Sequence, residues 1–244
     1  MPTHLTDAQR AFAATIDHTL LKAQATASEI RQLCAEAAEY GFASVCVNPC
    51  YVGLAAELLR GATTKVCTVI GFPLGANTTV VKLAEARESL ENGARELDMV
   101  LNVGALTSGD AEYCIREIRA LAELCRDFSA GESGRPLLKV IIETALLTTE
   151  QKIEACRAVT LGEADFIKTS TGFAPTGATL EDVALMRDNV GENVRIKASG
   201  GIRSLDFARA LLQAGAARLG VSAGVTLIQE LVGGAAASLA NQGY

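Results

Sequence analysis

Short apolar, β-branched runs alternate with amphipathic stretches along the whole chain. The runs predict strands at residues 13–19, 44–48, 65–72, 97–103, 137–143, 165–170, 195–199 and 217–222. Between them, helical spacing of apolar residues predicts helices at 28–40, 52–60, 78–92, 111–128, 149–159, 180–189 and 205–214, with a last one near 225–231. Punctuation supports the division. Thr149, Thr179 and Ser204 read as N-caps ahead of acidic first turns, and Gly41, Gly93 and Gly215 as stops before the next strand.

Several strands, such as 66–70 and 140–142, are continuous apolar runs, as expected of a parallel sheet covered on both faces. Eight strand–helix units in 244 residues match the α/β (β/α)8 TIM barrel, which typically needs about 250. A doubly wound open sheet is the alternative, and it lacks a Gly-x-Gly-x-x-Gly turn after the first strand. The expected organisation is one barrel domain over 1–244, with 233–244, small and uncharged, as a loosely tethered and mobile tail.

Composition narrows the function. Hydrophobic residues make up 49% and charged residues 20%, enough for a sizeable core, and the net charge of −6 argues against nucleic acid and anionic membrane surfaces as partners. The longest uncharged run, 66–81, is too short and polar to span a bilayer. Seven cysteines, an odd number scattered through apolar patterns, point to free thiols in a reducing compartment, hence a cytoplasmic address. The two histidines, His4 and His18, have no metal-ligand spacing, and Cys46 and Cys50 have no partner pair, so no metal is expected.

In a barrel, chemistry sits at the C-terminal ends of the strands. Asp98, Lys139, Lys168 and Lys197 are unusual there, because each interrupts an apolar strand. A desolvated ammonium is costly, and one use for two of them is a neutral amine nucleophile beside a second cation. An ordinary lysine, of pKa about 10.4, is neutral about once in 2,500 at pH 7, and lowering its pKa to about 7 corresponds to about 4.6 kcal/mol against the charged form. Lys168 is the candidate nucleophile, Lys197 the cation on the next strand, and Asp98 the carboxylate that holds Lys197 charged and relays a proton. The bland alternative is that both lysines snorkel to solvent. Gly200, Gly201, Gly220 and Ser222 follow the seventh and eighth strands, where barrels often hold phosphate, and Arg203 and Ser204 add donors. Two readings without a covalent step stand beside this one: an acid/base isomerase or epimerase using Asp98 and Asp17, and a phosphosugar-binding chain without turnover.

Seven segments resemble one family, deoxyribose-phosphate aldolase, a class I aldolase on a (β/α)8 barrel. They are IDHTLLK at 16–22, VCVNP at 45–49, ELDMV at 96–100, LKVIIET at 138–144, ADFIKTSTGF at 164–173, KASGGIR at 197–203 and RLGVS at 218–222. They run in order over nearly the whole chain. The resemblance implies reversible cleavage of 2-deoxy-D-ribose 5-phosphate to glyceraldehyde 3-phosphate and acetaldehyde, with no cofactor and with phosphosugar and aldehyde as small-molecule partners. It implies Lys168 as the Schiff-base lysine, Lys197 as the lysine that lowers its pKa, and Asp98 as the proton relay. Asp17, Cys46 and Thr171 match substrate-pocket positions, and Gly200, Gly201, Gly220 and Ser222 the phosphate-binding backbone. Tyr244 corresponds to a terminal tyrosine that assists proton transfer in some members. Phe173 stands where some members carry a substrate-recognising lysine, implying a softer preference for the phosphate. A homodimer is a further expectation.

Overall fold

The computed structural model describes residues 5–128 and 134–240, of which 234–240 are described as backbone only. Eight strands close into a barrel in chain order: β1 (Ile16–Leu20), β2 (Ser44–Val47), β3 (Lys65–Ile70), β4 (Glu96–Val100), β5 (Leu137–Ile141), β6 (Phe166–Lys168), β7 (Arg195–Ser199) and β8 (Ala216–Val221). All neighbouring pairs are parallel, including β1 with β8. This is the expected (β/α)8 architecture. The helices are α1 (Asp7–Ala13), α2 (Ala27–Tyr40), α3 (Val52–Leu58), α4 (Thr79–Glu91), α5 (Val103–Thr107), α6 (Ala111–Asp127), α7 (Thr149–Leu161), α8 (Leu180–Asn189), α9 (Leu205–Ala214) and α10 (Gly224–Ala240).

Boundaries shift by a few residues at several elements, and five of the differences have a clear local reason. Residue 13 closes α1 rather than opening a strand, because Thr6 and Gln9 form a capping box that starts a helix at Asp7. Residue 103 opens α5, since the Asn102 side chain accepts from the Ala105 N–H at 3.0 Å and turns the chain out of β4. The third strand stops at Ile70, where Gly71 takes φ +64°. The cap of α7 is Thr148, not Thr149; its hydroxyl accepts from Gln151 N–H, and the Gln151 side chain accepts from the Thr148 N–H at 2.9 Å. The tail expected from residue 233 begins inside α10, which continues to Ala240.

The period of two along each strand divides the molecule into two environments. Leu97, Met99, Leu138, Val140, Ile167, Ile196, Ala198 and Leu219 belong to the large apolar core between barrel and helices. The residues between them, Asp98, Lys139, Lys168, Lys197 and Arg218, are buried as well, but on the other face, inside the barrel. Barrel interiors are usually filled by branched apolar side chains. Here the centre is ionic, and a small apolar group of Leu21, Cys46, Cys67 and Val69 packs beside it. Among the described residues, no helix is long and apolar enough to cross a membrane.

Candidate active site

Sheet register makes neighbours of the two lysines singled out in the sequence. Lys168 pairs with Lys197 across β6 and β7, and Lys197 pairs with Arg218 across β7 and β8. On the opposite wall Asp98 pairs with Lys139 across β4 and β5. Asp98 reaches across the interior and gathers three lysine side chains. Its Oδ2 is 2.6 Å from Lys168 Nζ and 2.7 Å from Lys197 Nζ, and its Oδ1 is 2.8 Å from Lys139 Nζ. Lys197 also meets Asp17 at 2.5 Å. Lys139 also meets Glu96 at 2.7 Å and Asp17 at 3.9 Å. Below them Arg218 spans two carboxylates, donating to Asp17 and, at 3.0 Å, to Glu96. The snorkelling alternative fails for this pair. Lys197 is fully buried and Lys168 is 3% exposed.

Burial by itself pushes the Asp98 carboxyl up, yet Lys139, Lys168 and Lys197 outweigh it and hold the group well below the usual carboxylate range. Asp17 is likewise lowered: burial raises it, and Lys197, Arg218 and Lys139 more than reverse that. The reciprocal holds for the amines. Desolvation disfavours charge on Lys139 and Lys197, but their carboxylates raise both above the ordinary lysine value. These two lysines are therefore ammonium ions at neutral pH.

Lys168 is the member of this cluster that lines a cavity of about 220 Å³ at the C-terminal end of the strands. The same cavity is walled by Thr171, Gly200, Gly201, Gly220, Ser222 and Arg203. Gly200 and Gly201 adopt φ +86° and +76°, a region that disfavours any side chain. At Gly200 a Cβ would also lie 2.9 Å from Gly177 Cα, so the loops after β6 and β7 touch there. Gly220 makes room differently: a Cβ would be 3.2 Å from Lys197 Cε, in the path of the lysine stem. Thr171 is fixed by Glu143, whose carboxylate accepts from its N–H at 3.2 Å and from its hydroxyl. Glu143 itself takes φ +53°, the strained conformation that brings its side chain round to Thr171.

The predicted residues thus separate into two groups. Lys168, Thr171, Gly200, Gly201, Gly220 and Ser222 line the cavity. Lys197, Asp98 and Asp17 lie beneath it in the charge cluster, and Cys46 is fully buried beside Cys67. Tyr244 falls outside the described residues. Four groups have no role in the sequence reading: Glu96, Arg218, Cys67 and Glu143. Lys139 stands out there only as an oddity. Glu96 and Arg218 carry the same signal as the lysines, a charge inside an apolar strand, but at the strand beginning, where exposure is the default expectation.

Cys46 Sγ, Cys67 Sγ and an Asp98 oxygen lie within 4.8 Å of one another, a spacing that can hold a metal ion. Asp98 already serves three lysine amines, and Lys139, Lys197 and Arg218 make the cluster rich in positive charge before any divalent cation enters it. The donor set does not fit a resident metal.

Residues 11–230 match the model of the DeoC/LacD family aldolases. A deoxyribose-phosphate aldolase of Geobacillus sp. (strain WCH70) is 55% identical over 218 residues, 89% of this chain and 95% of its own. One of Thermoanaerobacter sp. (strain X514) is 54% identical over 219 residues, 90% of this chain and 96% of its own. Among solved structures, the tetrameric deoxyribose phosphate aldolase from Aeropyrum pernix superposes with TM-score 0.83 at 33% identity, covering 91% of this chain and 92% of that one. The aldolase QR15 does so with TM-score 0.83 at 38% identity, covering 93% and 97%. With a buried lysine cluster opening on a glycine-walled cavity in a closed eight-stranded barrel, this chain belongs to the DeoC/LacD family of aldolases.

Proposed function

We propose that this aldolase cleaves 2-deoxy-D-ribose 5-phosphate reversibly to D-glyceraldehyde 3-phosphate and acetaldehyde, through a Schiff base on Lys168. The observation that carries the reading is the shared oxygen of Asp98, which holds Lys168 against Lys197 at the floor of a cavity. The names of the relatives support the substrate.

In the cleavage direction, neutral Lys168 Nζ adds to the C1 aldehyde and expels water, giving an iminium. That cation withdraws electrons, so the C2–C3 bond breaks as the C3 hydroxyl loses its proton, and glyceraldehyde 3-phosphate leaves. The remaining enamine is protonated at C2, and water frees acetaldehyde and Lys168. A carboxylate held as low as Asp98 is a poor resting place for a proton. Exchange between Asp98 and the Lys197 ammonium, 2.7 Å away, moves it instead. Backbone amides around Gly200, Gly201, Gly220 and Ser222, with Arg203 at the rim, take the phosphate. Thr171 and Asp17 hold the sugar end, one as cavity wall and the other by fixing Lys197. Phe173 is 59% exposed, packs edge-on against Phe72 and lines a neighbouring apolar cavity that shares Thr171 with this one, so an apolar ring stands there in place of a cation. A homodimer and a cytoplasmic setting accompany this reading.

Borohydride reduction in the presence of acetaldehyde tests it. A two-carbon adduct is expected on Lys168, and Lys168→Ala should lose turnover while keeping its circular dichroism spectrum. An adduct confined to another residue, or none in active protein, would sink the Schiff-base reading in favour of acid/base chemistry by Asp98.

A further inference from the structure

The barrel interior contains an uneven number of charges. Ionisable side chains enter from every strand: Asp17 from β1, Cys46 from β2, Cys67 from β3, Glu96 and Asp98 from β4, Lys139 from β5, Lys168 from β6, Lys197 from β7 and Arg218 from β8. The cations Lys139, Lys168, Lys197 and Arg218 face the carboxylates Asp17, Glu96 and Asp98, so one positive charge is in excess. Cys67 donates its thiol to Asp98 Oδ1 at 3.2 Å, and burial pushes that thiol well up, which keeps it uncharged. The Cys46 thiol is lowered, first by its hydrogen bond with Cys67 and then by the charges of Lys197 and Lys168, and it packs in the small apolar group with Leu21 and Val69.

An uncompensated buried charge is expensive, and the usual escape is loss of a proton. Arg218 cannot take that route, because a guanidinium keeps its proton in proteins. Lys139 is held by Glu96, Asp98 and Asp17, and Lys197 by Asp17 and Asp98. Lys168 has one carboxylate contact, to an oxygen it shares with Lys197, and it faces the cavity. It is the amine that loses least by giving up its proton. Arg218 creates the excess. It occupies an oxygen of Asp17 and an oxygen of Glu96 that would otherwise serve the lysines.

We propose that Arg218 is a positioning residue for the aldol reaction: from the barrel floor, without touching substrate, its fixed charge consumes carboxylate capacity and so leaves Lys168 as a neutral nucleophile. Without it, three carboxylates would balance three lysines and Lys168 would keep its proton. This rests on Lys168 being the Schiff-base amine.

The test is the pH dependence of borohydride trapping of acetaldehyde on Lys168 in the full-length protein, read by mass spectrometry, alongside the pH profile of kcat/KM. In Arg218→Met the adduct stays on Lys168, but both midpoints move up by about one pH unit, so about tenfold less amine reacts at a given pH on the acidic limb. Arg218→Lys keeps the cation and leaves the midpoints in place. The double variant Arg218→Met with Glu96→Gln restores the single excess charge and returns them to the parent position. Unmoved midpoints in Arg218→Met, or equal shifts in Arg218→Met and Arg218→Lys, would overturn the proposal. Should Arg218→Met not fold, the double variant decides: parent-like midpoints support the charge count, and an upward shift overturns it. Absence of any Lys168 adduct in the parent protein at every pH refutes the Schiff-base reading itself, a separate failure.

Discussion

Lys168 and Lys197 place their amines on one oxygen, Asp98 Oδ2, at 2.6 and 2.7 Å. Two ammonium ions on one acceptor repel each other, and loss of a proton from either relieves that repulsion. On the proposed reading the contact joins the nucleophile to the cation beside it, and the carboxylate is the hinge of both roles.

Replacing that hinge by Asp98→Asn keeps the shape and removes the charge. The amines of Lys139, Lys168 and Lys197 then share one carboxylate fewer. Turnover is expected to fall by about 10²-fold or more, and breaking these buried pairs costs about 3–5 kcal/mol of stability. Steady-state kinetics and denaturant unfolding on the same preparation separate the two effects. Parent-like kcat would remove Asp98 from the mechanism.

The same charges set the pH range of the fold. Asp98 and Asp17 have folded values below their unfolded value of about 3.9, so their stabilisation is present above that pH and lost as pH falls below it. Lys139 and Lys197 have folded values above about 10.4, so their stabilisation is present below that pH and lost as pH rises through the folded values. Unfolding free energy should show no contribution to slope from these four groups between about pH 5 and 10, and should drop below about pH 4. Urea titrations across that range check it, and in Asp98→Asn the acid-side drop should shrink.

Gly200→Ala and Gly201→Ala should differ in stability although both raise KM for phosphorylated substrate. Both residues have positive φ, but only at Gly200 would the new methyl meet backbone, 2.9 Å from Gly177 Cα, while space at Gly201 is open. The strain of an alanine at positive φ is about 1–2 kcal/mol, and Gly200→Ala adds the collision to it. Thermal unfolding gives the order. An unphosphorylated acceptor, measured in parallel, should show a much smaller change in KM if these loops hold phosphate.

A second buried ion pair lies outside the barrel. Lys82 and Glu117, both nearly or fully buried, meet at 2.7 Å, and Lys82 also donates to the Val100 carbonyl at 2.8 Å. Glu117→Ala leaves Lys82 buried with its charge uncompensated, a loss of about 3–5 kcal/mol and about 10 °C in Tm. Calorimetry tests this. Because neither residue belongs to the cavity, kcat of the folded fraction should stay within about twofold.

The architecture and the two candidate lysines are legible in the chain because both have local signals. Alternation of apolar runs with amphipathic helices announces the barrel, and Lys168 and Lys197 stand out because each interrupts an apolar strand. Glycine loops at 200–201 and 220 are visible for the same reason. What escapes is whatever depends on a competing local choice: the Thr6 capping box that turns residue 13 into helix, Asn102 opening α5, and the continuation of α10 past Gly233.

The amino-acid sequence by itself determined the eight strand–helix units, the amine that opens on the cavity and the loops that wall it, since periodicity and residue type are properties of neighbours along the chain. Only the tertiary structure decided that Asp98 joins Lys139, Lys168 and Lys197, and that Arg218 ties Asp17 to Glu96 beneath them. Those partners lie from 41 to 201 positions apart in the chain. Closing the sheet brings them within hydrogen-bond distance in a dry interior, where each charge is felt by all its neighbours, and on the proposed reading that balance sets which amine is reactive.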